Sequence, residues 1–260
     1  MVDAKAVGVE VSRPRPGVAL VALASKPLGV LRVVVKRALT SVIAGLESDP
    51  DVRAVVLTGK GKAFSVGADV KEFRQDTGWL CESEFEENRM HDAIESARFP
   101  VIAACNGYTL GGGLVLALAC DIRVAAKSAT FGVPEVKVGA FASASGTQRL
   151  LRHAGRGRAL YLMLTAQMVS ADEARSLGLV EEVVADEELH PRALQLAVEI
   201  ASRPAAAVTA CKRCVAAGVR QGWAEAMALE ARLAVDVGLS EDAAEAQRAF
   251  MEKRPPRFSR

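Results

Sequence analysis

Aromatic residues are scarce: two Trp, two Tyr and eight Phe make up 5% of the 260 residues. Surfaces that stack nucleobases draw on such rings, so a nucleic-acid partner is not expected. Neither sign of charge dominates, since 33 basic against 31 acidic residues leave +2. That balance offers no electrostatic footprint for nucleic acid or an anionic membrane. No run of about 18 apolar residues is free of charge, which argues against a membrane span. The opening stretch MVDAKAVGVEVSRPRP has early charges and no apolar signal core, so a cytoplasmic location is expected. The five cysteines, Cys81, Cys105, Cys120, Cys211 and Cys214, are odd in number and scattered, which makes a poor disulfide framework. Cys211 and Cys214 form a lone C-x-x-C inside a helical pattern, with no second ligand pair for zinc. His91, His153 and His190 are isolated, without H-E-x-x-H spacing. No metal or cofactor is expected, and there is no internal repeat or low-complexity segment.

What is present is ordinary globular composition, half hydrophobic and a quarter charged, in a chain long enough to bury a sizeable core. Val18 to Leu23, Ala54 to Thr58 and Val101 to Cys105 read as buried strands. Helical spacing of apolar residues covers Leu31 to Leu46 and Ser83 to Ala97. Asn106 to Thr109 reads as a turn, and Gly111-Gly112-Gly113 opens an apolar helix over Leu114 to Ala119. Short strands are expected at Asp121 to Ala125, Ala129 to Phe131 and Glu181 to Val184. The rest beyond Gly146 reads as helix. Strand and helix alternate first and helices follow, which predicts an α/β layer with a parallel sheet and a helical C-terminal part. The basic, proline-broken tail 252–258 reads as an exposed end.

Three places could carry chemistry. In Gly107 to Gly113 (GYTLGGG) a strand runs through glycines into a helix, whose first amides lack internal acceptors and carry partial positive charge. Such amides suit a phosphate or a developing oxyanion, although close helix–strand packing explains the glycines equally well. The pattern matches neither G-x-G-x-x-G nor a P-loop. Phe64 to Asp69 (FSVGAD) is a second glycine-fixed turn after a strand, and two such bends could offer converging donors. Glu135, in FGVPE, has apolar neighbours that would raise its pKa towards the range of a general acid or base; as a bare pattern it also reads as an exposed loop glutamate.

These residues resemble the crotonase superfamily, the enoyl-CoA hydratase/isomerase family. The resemblance rests on GKAFSVGADVKEF (61–73), PVIAACNGYTLGGGLVLALACDIRVA (100–125) and ATFGVPEVKVG…SGTQRL (129–150). Weaker blocks lie at 164–184 and 249–258, so nearly the whole chain is covered in order. It implies a crotonase-like α/β fold, a spiral ββα-type core over 1–200 with a helical C-terminal trimerisation region over 201–260. It implies a homotrimer or dimer of trimers and an acyl-CoA substrate. By position, the amides of Ala68 and Gly112 hold the thioester oxygen, within a substrate-binding set of Gly67, Asp69, Gly111 and Gly113. Lys62 and Lys71 are candidates for the CoA phosphates, with Lys253 and Arg254 weaker ones. Typical hydratases carry two acids. One matches Glu135; at the other position stands Val115, which can neither orient water nor move a proton. Ser143 stands where some members have an aspartate and is a candidate water or substrate anchor. One acid suffices to move a proton between carbons, so double-bond isomerisation is the favoured expectation. Hydration is the alternative, with a second acid from Glu82, Glu84, Glu86 or Glu87, a stretch that otherwise reads as a solvated helix face. A silent acyl-CoA-binding protein is the remaining reading. Trp79 and Phe85 could line an acyl pocket or pack the loop after GAD.

Overall fold

The structure, a computed structural model, describes residues 3–258. Strands β3 (Ala54–Gly59) and β5 (Val101–Cys105) are buried at every position. Such unbroken apolar runs suit strands covered on both faces. They pair in parallel, Val55 beside Val101. Strand β2 (Val18–Leu23) extends the sheet from β3, and β7 (Ile122–Ala126) and β10 (Glu182–Val184) extend it from β5, all in parallel. The other edge is β1 (Val9–Arg15), antiparallel to β2. The sequence reading missed β1 because only Val9 of its residues is fully buried and Pro14 interrupts it; proline is tolerated at such an edge.

Parallel neighbours need crossovers. Helix α1 (Val33–Glu47) joins β2 to β3, α2 (Thr77–Ser96) leads to β5, and α3 (Gly112–Ala119) leads to β7. A second sheet orders β4 (Ala63–Ser65), β6 (Tyr108–Leu110), β8 (Thr130–Gly132) and β9 (Val169–Ser170). Each long strand thus passes the chain to a short one before a helix: β3–β4–α2, β5–β6–α3, and β7–β8 followed by α4 (Gly146–Thr165). This repeated turn is the spiral ββα core. Residues 108–109, expected in a turn, belong to β6; three residues are too few for a periodic signal. Asn106 braces the corner, its Oδ1 accepting from the Gly59 amide at 3.0 Å and its Nδ2 donating to the Gly61 carbonyl at 2.9 Å. Helix α2 starts at Thr77 rather than Ser83, because Asp76 caps it by accepting from the Trp79 amide at 2.7 Å.

Helices α5 (Ala171–Ser176) and α6 (Leu189–Ala201) complete the core, and α7 (Ala205–Arg220), α8 (Trp223–Gly238) and α9 (Glu241–Met251) follow. Among the described residues no helix is long and apolar enough to cross a membrane. Within the C-x-x-C stretch the informative residue is Lys212. Its ammonium, buried beneath the middle of α7, donates to the carbonyls of Ile94 (2.9 Å) and Phe99 (3.0 Å) and to Asp121 Oδ2 (2.8 Å). Burial pushes the Asp121 carboxyl up, and Lys212 opposes that shift. Removing one partner of a buried pair leaves an uncompensated charge, so Lys212→Met should lower stability by about 3 kcal/mol. Denaturant unfolding measures this; a loss no larger than that of an exposed lysine such as Lys5 would refute the tether.

Candidate active site

Strands β4 and β6 run side by side in parallel, Ser65 beside Thr109. The residues that follow each strand therefore leave the small sheet at the same edge. Gly67 (φ 82°) and Gly111 (φ 56°) hold backbone conformations that side chains rarely adopt. The two bends touch: a β-carbon on Gly67 would lie 2.6 Å from the Gly112 nitrogen and 3.1 Å from the Leu110 oxygen. Ser65 fixes the first bend, its hydroxyl donating to the Gly29 carbonyl at 2.7 Å and accepting from the Gly67 amide at 3.1 Å. Gly113 packs so tightly on Ser65 that a β-carbon there would meet its carbonyl oxygen at 2.2 Å. Neither the Ala68 nor the Gly112 amide donates to an acceptor among the described residues. Gly112 opens α3, where amides point along the helix dipole without an internal partner.

Glu135 enters from the short helical turn Pro134–Val138 after β8. A β-carbon on Gly111 would lie 3.1 Å from its Oε1, so the carboxyl stands beside the glycine run. Its Oε2 is buried with no hydrogen-bond partner. Burial pushes this carboxyl above the ordinary range; its own backbone amide opposes the shift and the charge of Glu87 adds to it. A desolvated carboxyl of this kind is suited to take up and release a proton during a reaction.

The other expected residues are placed less centrally. Asp69 spends its carboxylate locally, accepting from the Lys71 amide at 3.0 Å. Lys62 and Lys71 are exposed. Arg254 is engaged by Glu245 and Glu252, while Lys253 is exposed. The Ser143 hydroxyl donates to Glu84 Oε2 at 2.9 Å, and the same carboxylate accepts from the Ala144 amide. Trp79 packs on Phe73, ring centroids 5.5 Å apart, and Phe85 is exposed beneath Arg89.

The acidic stretch 82–87 is not a solvated face throughout. Glu86 is buried against Arg37, Glu84 holds the loop at 143–144, and Glu87 reaches the glycines. Glu87 lies one turn before His91 on the inward face of α2. His91 is fully buried, with Nδ1 3.2 Å from the Ala144 oxygen; burial first, then the Arg149 charge, pushes it down to about 3, so it is neutral. Glu87 pairs with the buried ammonium of Lys36 at 2.6 Å. Its Oε1 would lie 2.7 Å from a β-carbon on Gly112. Of the four glutamates offered as a second acid, position singles out Glu87, which shares its helical face with the buried Met90, His91 and Ile94. Lys36, which the sequence reading missed, shares a face with Leu39 and Ile43. Charged residues in apolar stripes are rarely left unpaired. Val115 is buried against Gly146 and contributes no polar atom. A cavity of about 660 Å³ lies elsewhere, beside α7. Three of its lining cations are engaged, Arg149 and Arg220 by Glu95 and Lys212 by Asp121.

The spiral core, paired glycine bends and inward carboxyl define a crotonase-type protein. The model of the enoyl-CoA hydratase/isomerase family matches residues 15–260, and the chain belongs to that family. It is 38% identical over 254 residues to the short-chain-enoyl-CoA hydratase of Clostridium acetobutylicum, spanning 97% of this chain and 93% of that protein. A probable enoyl-CoA hydratase of Mycobacterium bovis is 37% identical over 232 residues, 89% of this chain and 90% of its own. The crystal structure of an enoyl-CoA hydratase from Bacillus anthracis superposes with a TM-score of 0.92 at 33% identity, over 96% of this chain and 98% of that one.

The raised carboxyl of Glu135 has a stability consequence. A folded-state pKa above the unfolded one stabilises fully below the unfolded value, about 4.3, and that contribution is lost as pH rises through the folded value. Glu135→Gln should therefore melt higher than the parent at pH 8, and the gain should shrink towards pH 4.5. Paired thermal melts check this; a gain independent of pH would contradict the desolvated carboxyl.

Proposed function

We propose that the protein hydrates a 2-enoyl-CoA thioester, with the Ala68 and Gly112 amides holding the thioester oxygen and Glu135 carrying the proton. The observation behind this reading is Glu135, desolvated and unpartnered at one oxygen, beside a glycine run whose first helical amide is free. Addition at the β-carbon pushes electrons onto the thioester oxygen, and each amide aimed at that oxygen supplies on the order of 3 kcal/mol of transition-state stabilisation. The names of the relatives favour hydration. A valine at position 115 favours the second reading, in which Glu135 alone moves a double bond between carbons. Neither reaction changes an oxidation state, so neither needs a redox group. Lys62 and Lys71 flank the GAD bend in sequence and are proposed for the CoA phosphates.

The deciding experiment incubates the protein, with EDTA, in heavy-oxygen water with 2-enoyl- and 3-enoyl-CoA. Labelled 3-hydroxyacyl-CoA is expected; a shifted double bond without label would instead establish isomerisation. Glu135→Gln should lower either rate by about a thousandfold, and full activity in that variant would exclude Glu135 as the proton carrier. We also propose self-association as a trimer or a dimer of trimers. Trp223, Leu239 and Phe250 on α8, its C-terminal end and α9 are more than four-fifths exposed, an outlay of apolar surface that association would cover. Light scattering should return three or six times the 27.4 kDa chain mass.

A further inference from the structure

We propose that Glu87, held by the buried Lys36, anchors the attacking water and so takes the place of the acid absent at Val115. The inference rests on the hydration reading. Two carboxyls from different elements meet the glycine run: Glu135 stands beside Gly111, and Glu87 beside Gly112, the first residue of α3. A methyl group on Gly112 would collide with Glu87 Oε1 at 2.7 Å, so the carboxylate lies against the backbone that offers the free amide. The Glu87 charge adds, after burial, to the upward push on the Glu135 carboxyl.

Lys36 is the feature that makes this more than proximity. Its side chain is 1% exposed and Glu87's is 12% exposed, with 2.6 Å between Nζ and Oε2. The ammonium also donates to the Ser83 hydroxyl at 3.0 Å and the Ser83 carbonyl at 3.3 Å. The ammonium is thus held by Ser83 and Glu87 together, and one carboxylate oxygen is tied back to α1. The other, Oε1, faces the glycines. It makes no hydrogen bond to any described residue, and as a carboxylate oxygen it can only accept. A water donating one hydrogen to Oε1 and the other to Glu135 has its lone pair free for the substrate. Its oxygen bonds to the β-carbon as the carbon–carbon π bond breaks, and that electron pair passes to the thioester oxygen held by the two amides. The proton goes to Glu135, which returns it to the α-carbon as the enolate collapses. One water is consumed and both carboxylates end as they began.

The assignment separates two reactions of the same site. Exchange of the α-hydrogens of a saturated acyl-CoA with heavy water needs Glu135 and the amides but no attacking water; hydration needs Glu87 as well. Glu87→Gln should lower incorporation of heavy oxygen into 3-hydroxyacyl-CoA by about a hundredfold, with α-hydrogen exchange kept within about threefold. Hydration at the parental rate in that variant would overturn the role of Glu87 while leaving the hydration reading intact. An equal fall in both reactions would also overturn it, since Glu87 would then merely prop the site. A parent protein that shifts double bonds without incorporating label would overturn the hydration reading and this assignment with it. Should Glu87→Gln fail to fold, Glu87→Asp, which keeps the charge opposite Lys36 and withdraws the oxygen from the glycines, is read in the same two assays by the same criteria.

Discussion

Everything at this site depends on two stretches of backbone lying in contact. Strands β4 and β6 are parallel neighbours, so the bends after Ser65 and Leu110 must leave the sheet together. No side chain fits between them: a β-carbon on Gly67 would come within 2.6 Å of the Gly112 nitrogen. Glycine is a requirement of that approach, and the approach brings the bend before Ala68 against the nitrogen of Gly112. The large buried sheet supplies the rigidity, because β3 and β5 are packed on both faces and their ends cannot drift. A polar site of this kind gains from being fixed before the substrate arrives, since reorganisation of dipoles during reaction is what such a site avoids.

Much of this was legible in the chain. The central strands are uninterrupted apolar runs, and the glycine clusters follow them directly. Glu135 stands out as a lone acid between a proline turn and apolar residues. The opaque parts share a physical cause. Strands of two or three residues, β4, β6 and β9, carry no period of their own and exist only because neighbours pair with them. The edge strand β1 is polar for the same reason that it lies at an edge. Lys36 and Glu87 are far apart in sequence and meet only when α1 docks on α2. What could be read was a gap, Val115 where an acid was expected, and a one-acid site followed from it. The carboxylate that the fold does bring against the glycines, Glu87, comes from a different helix and is held there by a lysine from a third.

Helix α2 therefore does several tasks with one inward face. Glu84 holds the amide of Ala144 and the hydroxyl of Ser143, and His91 lies against the Ala144 carbonyl. Glu87, between them, meets the glycine run. Ala144 (φ 46°) and Ser145 (φ 66°) are both left-handed, a costly conformation for residues with a β-carbon. Contacts from a single helix to the amide and the carbonyl of Ala144 account for its persistence. The loop before α4 and the carboxylate beside Gly112 thus take their positions from the same rigid element.

The close fit of Val115 against Gly146 has a bearing on engineering. A β-carbon on that glycine would stand 2.7 Å from Val115 Cγ2, so the first turn of α4 is seated directly on the valine. Grafting a longer, ionisable side chain at position 115 would drive a charge into the seam between α3 and α4, where Val115 is buried. The seam would have to be recut from both helices before such a transplant could be accommodated.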